Sequence, residues 1–267
     1  MELSKIKLIV SDMDGTLLNS KHELDPSFFE IYEKLRTKNI QFIAASGRQY
    51  FSIADKFKPI LNELTIIAEN GSFVKKNGTE ILVKAINISL LQNVIEHARK
   101  IPDTYIVLCG KNGAYIEQDS EQFVNYFKEF YNKYSLVHDL LSDPNDHYFK
   151  IALYNPNGAE KHIYPYFEDF KEALQVKISG EYWVDIMQLQ VNKGNAIEFI
   201  QKQNHITKDE TLVFGDYLND LEMFEQAGTA VAMQNAHPEL KKIASYITDS
   251  NDHNGVFTVL KKLVDLE

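Results

Sequence analysis

Short apolar runs alternate with amphipathic segments along the first third of the chain. Lys7 to Ser11 predicts a buried strand, because Leu8-Ile9-Val10 is followed at once by a polar, glycine-containing turn. Asp25-Pro26 supplies a cap and a first-turn proline for a helix to about Thr37, with Phe28, Ile31, Tyr32 and Leu35 at helical spacing. Gln41 to Ala45 and Thr65 to Glu69 read as further strands. This strand–helix–strand rhythm predicts a parallel sheet with crossover helices. Asn77-Gly78, between Ser72 to Lys75 and Glu80 to Val83, signals a hairpin, since both central positions of such a turn need positive φ.

From Lys84 to Met187 the order is less regular. Ile88 to Ile101 and Glu121 to Lys133 read as helices, and Tyr105 to Cys109, Tyr148 to Tyr154 and Val176 to Ser179 as strands. About 100 residues make a domain. The first rhythm then resumes: Lys193 to Gln203 and Asp220 to Ala227 as helices, Thr211 to Phe214 and Ala230 to Met233 as strands, and Val256 to Leu266 as a closing helix. The expected fold is α/β. A doubly wound, Rossmann-like parallel sheet spans 1–83 and 188–267, and a second α+β domain is inserted at 84–187.

Composition narrows the function classes. A formal net charge of −10 argues against a broad grip on nucleic acid or on an anionic membrane. A small anionic substrate stays admissible, because local cations or a metal can reverse the field inside one cleft. No stretch reaches the roughly 20 apolar residues of a membrane span, and no signal-peptide core precedes Val10. The single Cys109 cannot form an internal disulfide and suits a reducing compartment. The expectation is a cytoplasmic protein, a monomer or weak homo-oligomer. The aromatic run Phe123, Tyr126, Phe127, Phe130, Tyr131 and Tyr134 has helical spacing and reads as core packing.

Polar clusters fall where predicted strands end: Asp12-Met13-Asp14-Gly15-Thr16, Ser46-Gly47-Arg48, and Gly215-Asp216 with Asn219-Asp220. Lys193-Gly194 opens a helix. In an open parallel sheet, ligands bind outside the carboxyl ends of the strands. Asp12 and Asp14 alone would suit an ordinary capped turn. Joined by Asp216 and Asp220, they make four carboxylates in one crevice, which favours a hard divalent cation with oxygen ligands, magnesium by default. Lys193 and Arg48 make sense beside that cluster if the substrate carries phosphate.

These motifs resemble the haloacid-dehalogenase-type phosphohydrolases, in particular their Cof-like branch with a large type IIB cap inserted in mid-chain. Asp12-Met13-Asp14-Gly15-Thr16-Leu17-Leu18 is similar to the family's first motif and Ala44-Ala45-Ser46-Gly47-Arg48 to its second. Lys193-Gly194 is similar to the third, and Gly215-Asp216-Tyr217-Leu218-Asn219-Asp220 to the fourth. Glu69-Asn70-Gly71 is also typical of the branch. The resemblance implies an aspartyl-phosphate formed on Asp12, with Asp14 as acid and then base. It implies Mg²⁺ held by Asp12, the Asp14 carbonyl and Asp216. Met13, Ser46, Gly47, Lys193 and Asn219 would hold the phosphoryl oxygens, and Thr16, Arg48, Asn70 and Asp220 would support them. Ser46 departs from the commoner threonine but keeps the hydroxyl.

The substrate class that follows is a small phosphorylated metabolite, above all a sugar phosphate. Rivals are a flavin or pyridoxal phosphate phosphatase, a phosphohexomutase, and a silent phosphate-ligand sensor. A mutase needs a second phosphate site in the cap, and Arg99 is the only arginine from Lys84 to Met187. A sensor would not need both Asp12 and Asp14.

Overall fold

The computed structural model describes residues 3–128, 130–142 and 146–265. They form two units, one running through Gly47 and comprising also Ile53–Leu82 and the chain from Asn192, the other Arg48–Ser52 and Val83–Val191.

The first unit opens with β1 (Leu8–Asp12), every residue of which is buried, as a strand covered on both faces must be. Helix α1 (Ser27–Thr37) follows, and Asp25 Oδ1 accepts the Ser27 N–H at 2.9 Å, which caps its start. Its spaced apolar residues Phe28, Ile31, Tyr32 and Leu35 are all buried. Phe28 meets Phe42 and Phe57 edge-on at 4.9 and 5.5 Å. Then come β2 (Gln41–Ala45), α2 (Tyr50–Lys56), β3 (Thr65–Ala68), β4 (Phe73–Lys76) and β5 (Thr79–Val83). The turn into β5 has positive φ at both Asn77 and Gly78, as the sequence predicts.

The second unit holds α3 (Ile88–Ala98), β6 (Tyr105–Gly110), β7 (Gly113–Ile116), α4 (Glu121–Phe127), β8 (Tyr134–Leu136), β9 (Tyr148–Tyr154), α5 (Ala159–His162), β10 (Leu174–Gly180) and β11 (Trp183–Gln188). Its sheet runs β10-β11-β9-β6-β7-β8, antiparallel except between β7 and β8. Alternate residues of β9 feed two cores: Ile151 and Leu153 join Leu91 and Val94, while Ala152 and Tyr154 join Phe123 and Phe127.

The helix expected over 121–133 stops at Phe127. Its residue 129 lies outside the described residues. The aromatic spacing persists across a turn instead: Phe127 stacks on Tyr131 at 4.7 Å, and Tyr134 enters β8 opposite Ala114. Pairing with the edge of β7 overrides the local helical pattern.

The chain re-enters the first unit through α6 (Lys193–Asn204), β12 (Thr211–Gly215), α7 (Leu221–Phe224), β13 (Thr229–Ala232), α8 (Pro238–Ile243), β14 (Tyr246–Ile247) and α9 (Gly255–Val264). The helix expected over 220–227 shrinks to the single turn α7. Asp220 is used in the turn before it, where Oδ2 accepts the N–H groups of Asp216 and Tyr217. The expected end of the last helix at Leu266 lies outside the described residues.

The eight strands run β14-β13-β12-β1-β2-β3-β4-β5, parallel through β3, with β4 antiparallel to β3. From β1 the chain winds outward to β2 and β3, and later from β12 outward to β13 and β14. The winding reverses between the neighbours β1 and β12, which makes their carboxyl ends the topological switch point. The α/β, doubly wound class expected from the sequence is the observed one.

Candidate active site

Asp12 is the last residue of β1, and Asp216 directly follows β12. The chain leaves β1 through a tight turn, Met13–Leu17, closed by the Leu18 N–H on the Met13 carbonyl at 2.8 Å. Gly15 has φ +75° in that turn, and a Cβ there would lie 2.3 Å from Asp216 Oδ2. Glycine is therefore required both by the backbone and by the carboxylate beside it. Thr16, buried in the same turn, donates to Asp216 Oδ1 at 3.0 Å and fixes its orientation.

Lys193 begins α6, whose cap is Asn192, with its side chain accepting from Asn195 N–H at 2.7 Å. The Lys193 side chain is wholly buried. Its ammonium donates to Asp12 Oδ1 and, at 2.7 Å, to Asp220 Oδ1. Asp220 thus lies against Lys193.

Asp12, Asp216 and Asp220 each offer an oxygen within 4.8 Å of the others. Burial raises the Asp12 carboxyl well above its usual range, and the neighbouring carboxylates add to this against the pull of Lys193. Asp216 is pushed up to about 6, again by burial first and by Asp220 next. Burial disfavours the Lys193 ammonium, but Asp12 and Asp220 outweigh it and hold the group above its usual value. Fully ionised, these three carboxylates beside one buried ammonium would be two positive charges short of balance. One divalent cation would supply that deficit, and an all-oxygen donor set suits a hard one. The residues present fit such an ion.

The Asp14 carboxylate lies outside the group of three, and its Oδ1 is 2.9 Å from His22 Nδ1. The sequence reading missed His22, and so missed the loop that carries it. Beside the cluster, Ser46 is buried, and its carbonyl accepts the Asn70 N–H at 3.0 Å. Asn70 Oδ1 accepts from Asn219 Nδ2 at 3.3 Å. Gly47 faces the same amide, and a Cβ there would meet Asn70 Oδ1 at 2.8 Å. Ser46, Gly47, Asn70 and Asn219 are thereby brought together. Met13 is buried in the turn after β1. Arg48 opens the stretch Arg48–Ser52 that groups with the second unit, where Gln49 Nε2 donates to the Lys133 carbonyl at 3.0 Å.

The fold and site together are those of a doubly wound α/β protein with a carboxylate–lysine centre at its switch point. Residues 9–260 match the haloacid dehalogenase-like hydrolases, and the chain belongs to that family. It is 32% identical to the 5-amino-6-(5-phospho-D-ribitylamino)uracil phosphatase YbjI of Escherichia coli, over 98% of this chain and 97% of that one. It is 26% identical to the phosphatase YwpJ of Bacillus subtilis, over 97% and 100%. The crystal structure of SMU.1108c from Streptococcus mutans superposes with a TM-score of 0.89 at 29% identity, covering 98% of this chain and 100% of that one. The protein is a phosphatase of the Cof-like branch of the family.

Proposed function

We propose that the chain is a magnesium-dependent hydrolase of small phosphorylated metabolites, above all sugar phosphates, working through a phosphoryl group carried on Asp12. The observation that carries this reading is the buried Lys193 ammonium between Asp12 and Asp220, with Asp216 beside them at the ends of β1 and β12. Asp12, Asp216 and the Asp14 carbonyl would hold the ion, which when bound supplies positive charge to the phosphoryl oxygens. An Asp12 oxygen attacks phosphorus as the bond to the alkoxide breaks. Asp14 gives the departing alkoxide its proton, then takes one from the water that cleaves the aspartyl-phosphate and releases inorganic phosphate. Lys193, the Ser46 hydroxyl, the Met13 and Gly47 amides and Asn219 hold the phosphoryl oxygens, with Thr16, Arg48, Asn70 and Asp220 in support.

A mutase reading is disfavoured by Arg99. It is bound to Glu117 at 2.9 and 2.5 Å and to Asp139 at 2.5 Å, so it is already committed within the second unit. The relationship to YbjI favours a second reading, in which the phosphate sits on a ribityl chain borne by a pyrimidine. Both readings share a phosphate on a polyhydroxylated carbon chain.

The test is Asp12→Asn against wild type on an aryl phosphate with Mg²⁺. A loss of at least about 10³-fold is expected for removal of a covalent nucleophile. Full activity in the variant would refute the nucleophile, and an inert wild type would refute the enzyme. Ranking sugar, ribityl-pyrimidine, flavin and pyridoxal phosphates by kcat/KM decides the substrate. A flavin or pyridoxal phosphate ahead of every sugar phosphate would overturn the sugar reading.

A further inference from the structure

His22 has a left-handed backbone, φ +59°, a conformation uncommon for a non-glycine residue though more often taken by histidine than by most. Its loop is braced. Asn19 Oδ1 accepts the N–H groups of both Lys21 and Glu23 at 2.9 Å, and Asn19 Nδ2 donates to Glu23 Oε2 at 3.1 Å. The Asn19 carbonyl accepts the His22 N–H at 2.8 Å. Two further anchors come from the turn before α9. Asp252 Oδ1 accepts the Ser20 N–H at 2.8 Å, and Asn251 Nδ2 donates to the Leu18 carbonyl at 3.0 Å. This bracing directs the imidazole at Asp14, with His22 Nδ1 2.9 Å from Asp14 Oδ1. An ion pair this exposed adds at most about 1 kcal/mol of stability, too little to explain a braced loop.

We infer that His22 is a positioning residue for Asp14, fixing its carboxyl for proton delivery to the leaving group; the inference rests on the acid role proposed above. With Nδ1–H donating to Oδ1, the proton passed to the alkoxide rides on Oδ2. Oδ1 cannot rotate into that place without breaking the contact. The carboxyl therefore presents one defined oxygen to the substrate instead of two in exchange.

Leaving-group dependence tests this, because an alkoxide needs a proton to depart and a nitrophenolate does not. The reading is kcat/KM, which covers the steps up to departure of the leaving group, for a sugar phosphate and for 4-nitrophenyl phosphate. His22→Gly removes the imidazole without a positive-φ penalty. His22→Asn tolerates the same backbone and places an amide donor at the position of Nδ1. His22→Gly is expected to lose about tenfold on the sugar phosphate, a part of what a placed acid supplies, and to stay within about twofold on the aryl ester. His22→Asn is expected to recover most of the loss. Equal losses on both substrates, no loss on either, or an Asn variant as poor as Gly would each overturn the inference. Asp14→Asn is measured alongside. If it fails to separate the two substrates, the acid assignment itself is wrong; if it separates them and His22→Gly does not, only the role of His22 falls.

Discussion

Lys193 is a charge shut off from bulk solvent, so its two carboxylate partners decide what it is worth. Lys193→Met would leave Asp12 and Asp220 buried beside an apolar chain. Breaking one side of a buried pair costs about 3–5 kcal/mol, more than the packing of a methionine can return. We expect a loss of that size by urea unfolding without magnesium, together with loss of turnover. A variant as stable as wild type would mean that the ammonium does not compensate the carboxylates. Asp12, Ser46, Lys193 and Asp216 could be singled out at this scale because they sit where an apolar run stops or a helix starts. His22 was not legible. Its place depends on the Asn19 turn, a local Asx geometry that sequence spacing alone does not reveal.

At the scale of elements, Glu210 ties the start of β12 to the approach to β1. It bonds Lys7 at 2.5 Å, and its carboxylate also accepts the Thr207 N–H and hydroxyl. Lys7 first, and then these donors, hold it down at about 2. A carboxyl lowered in the folded state stabilises above its ordinary value, and that contribution is lost as pH falls through the folded one. The gap in urea midpoint between wild type and Glu210→Gln is therefore expected in full at pH 7, narrowing from about pH 4.5 toward 2. A gap that stays constant over that range would rule out the ionised contact. Elements were readable where one periodicity held, as in β1, α1 and β9. They were misread where two competed: in α4 and β8 the aromatic spacing continued while the backbone changed from helix to strand. The shortening of α7 has a different cause: Asp220 serves the turn and the lysine instead of the helix.

At the scale of the molecule, the carboxylate cluster lies wholly within the first unit, so cation binding should register as stability of that unit. Magnesium at about 100 times its dissociation constant is expected to add about 2.7 kcal/mol, seen as a rise in melting temperature that EDTA reverses. Asp216→Asn should lose most of that rise. An unchanged melting curve for wild type across the titration would count against the cation site. The fold class and the inserted second unit were readable in outline, because the change in rhythm after β3 and its return at α6 are properties of long segments, where local errors average out.

The pairing of β1 with β12 has a consequence for how the protein comes into being. Thr16 and Asp216, which hydrogen-bond to one another, are 200 residues apart in the chain. Closing so long a loop brings no reward until its distant partner arrives, which places this contact late and slow in folding. During synthesis, Asp12 emerges from the ribosome long before Lys193 and Asp216 exist to meet it. The site proposed here is therefore expected to be absent from nascent chains and to form only when the last third of the sequence docks onto the first.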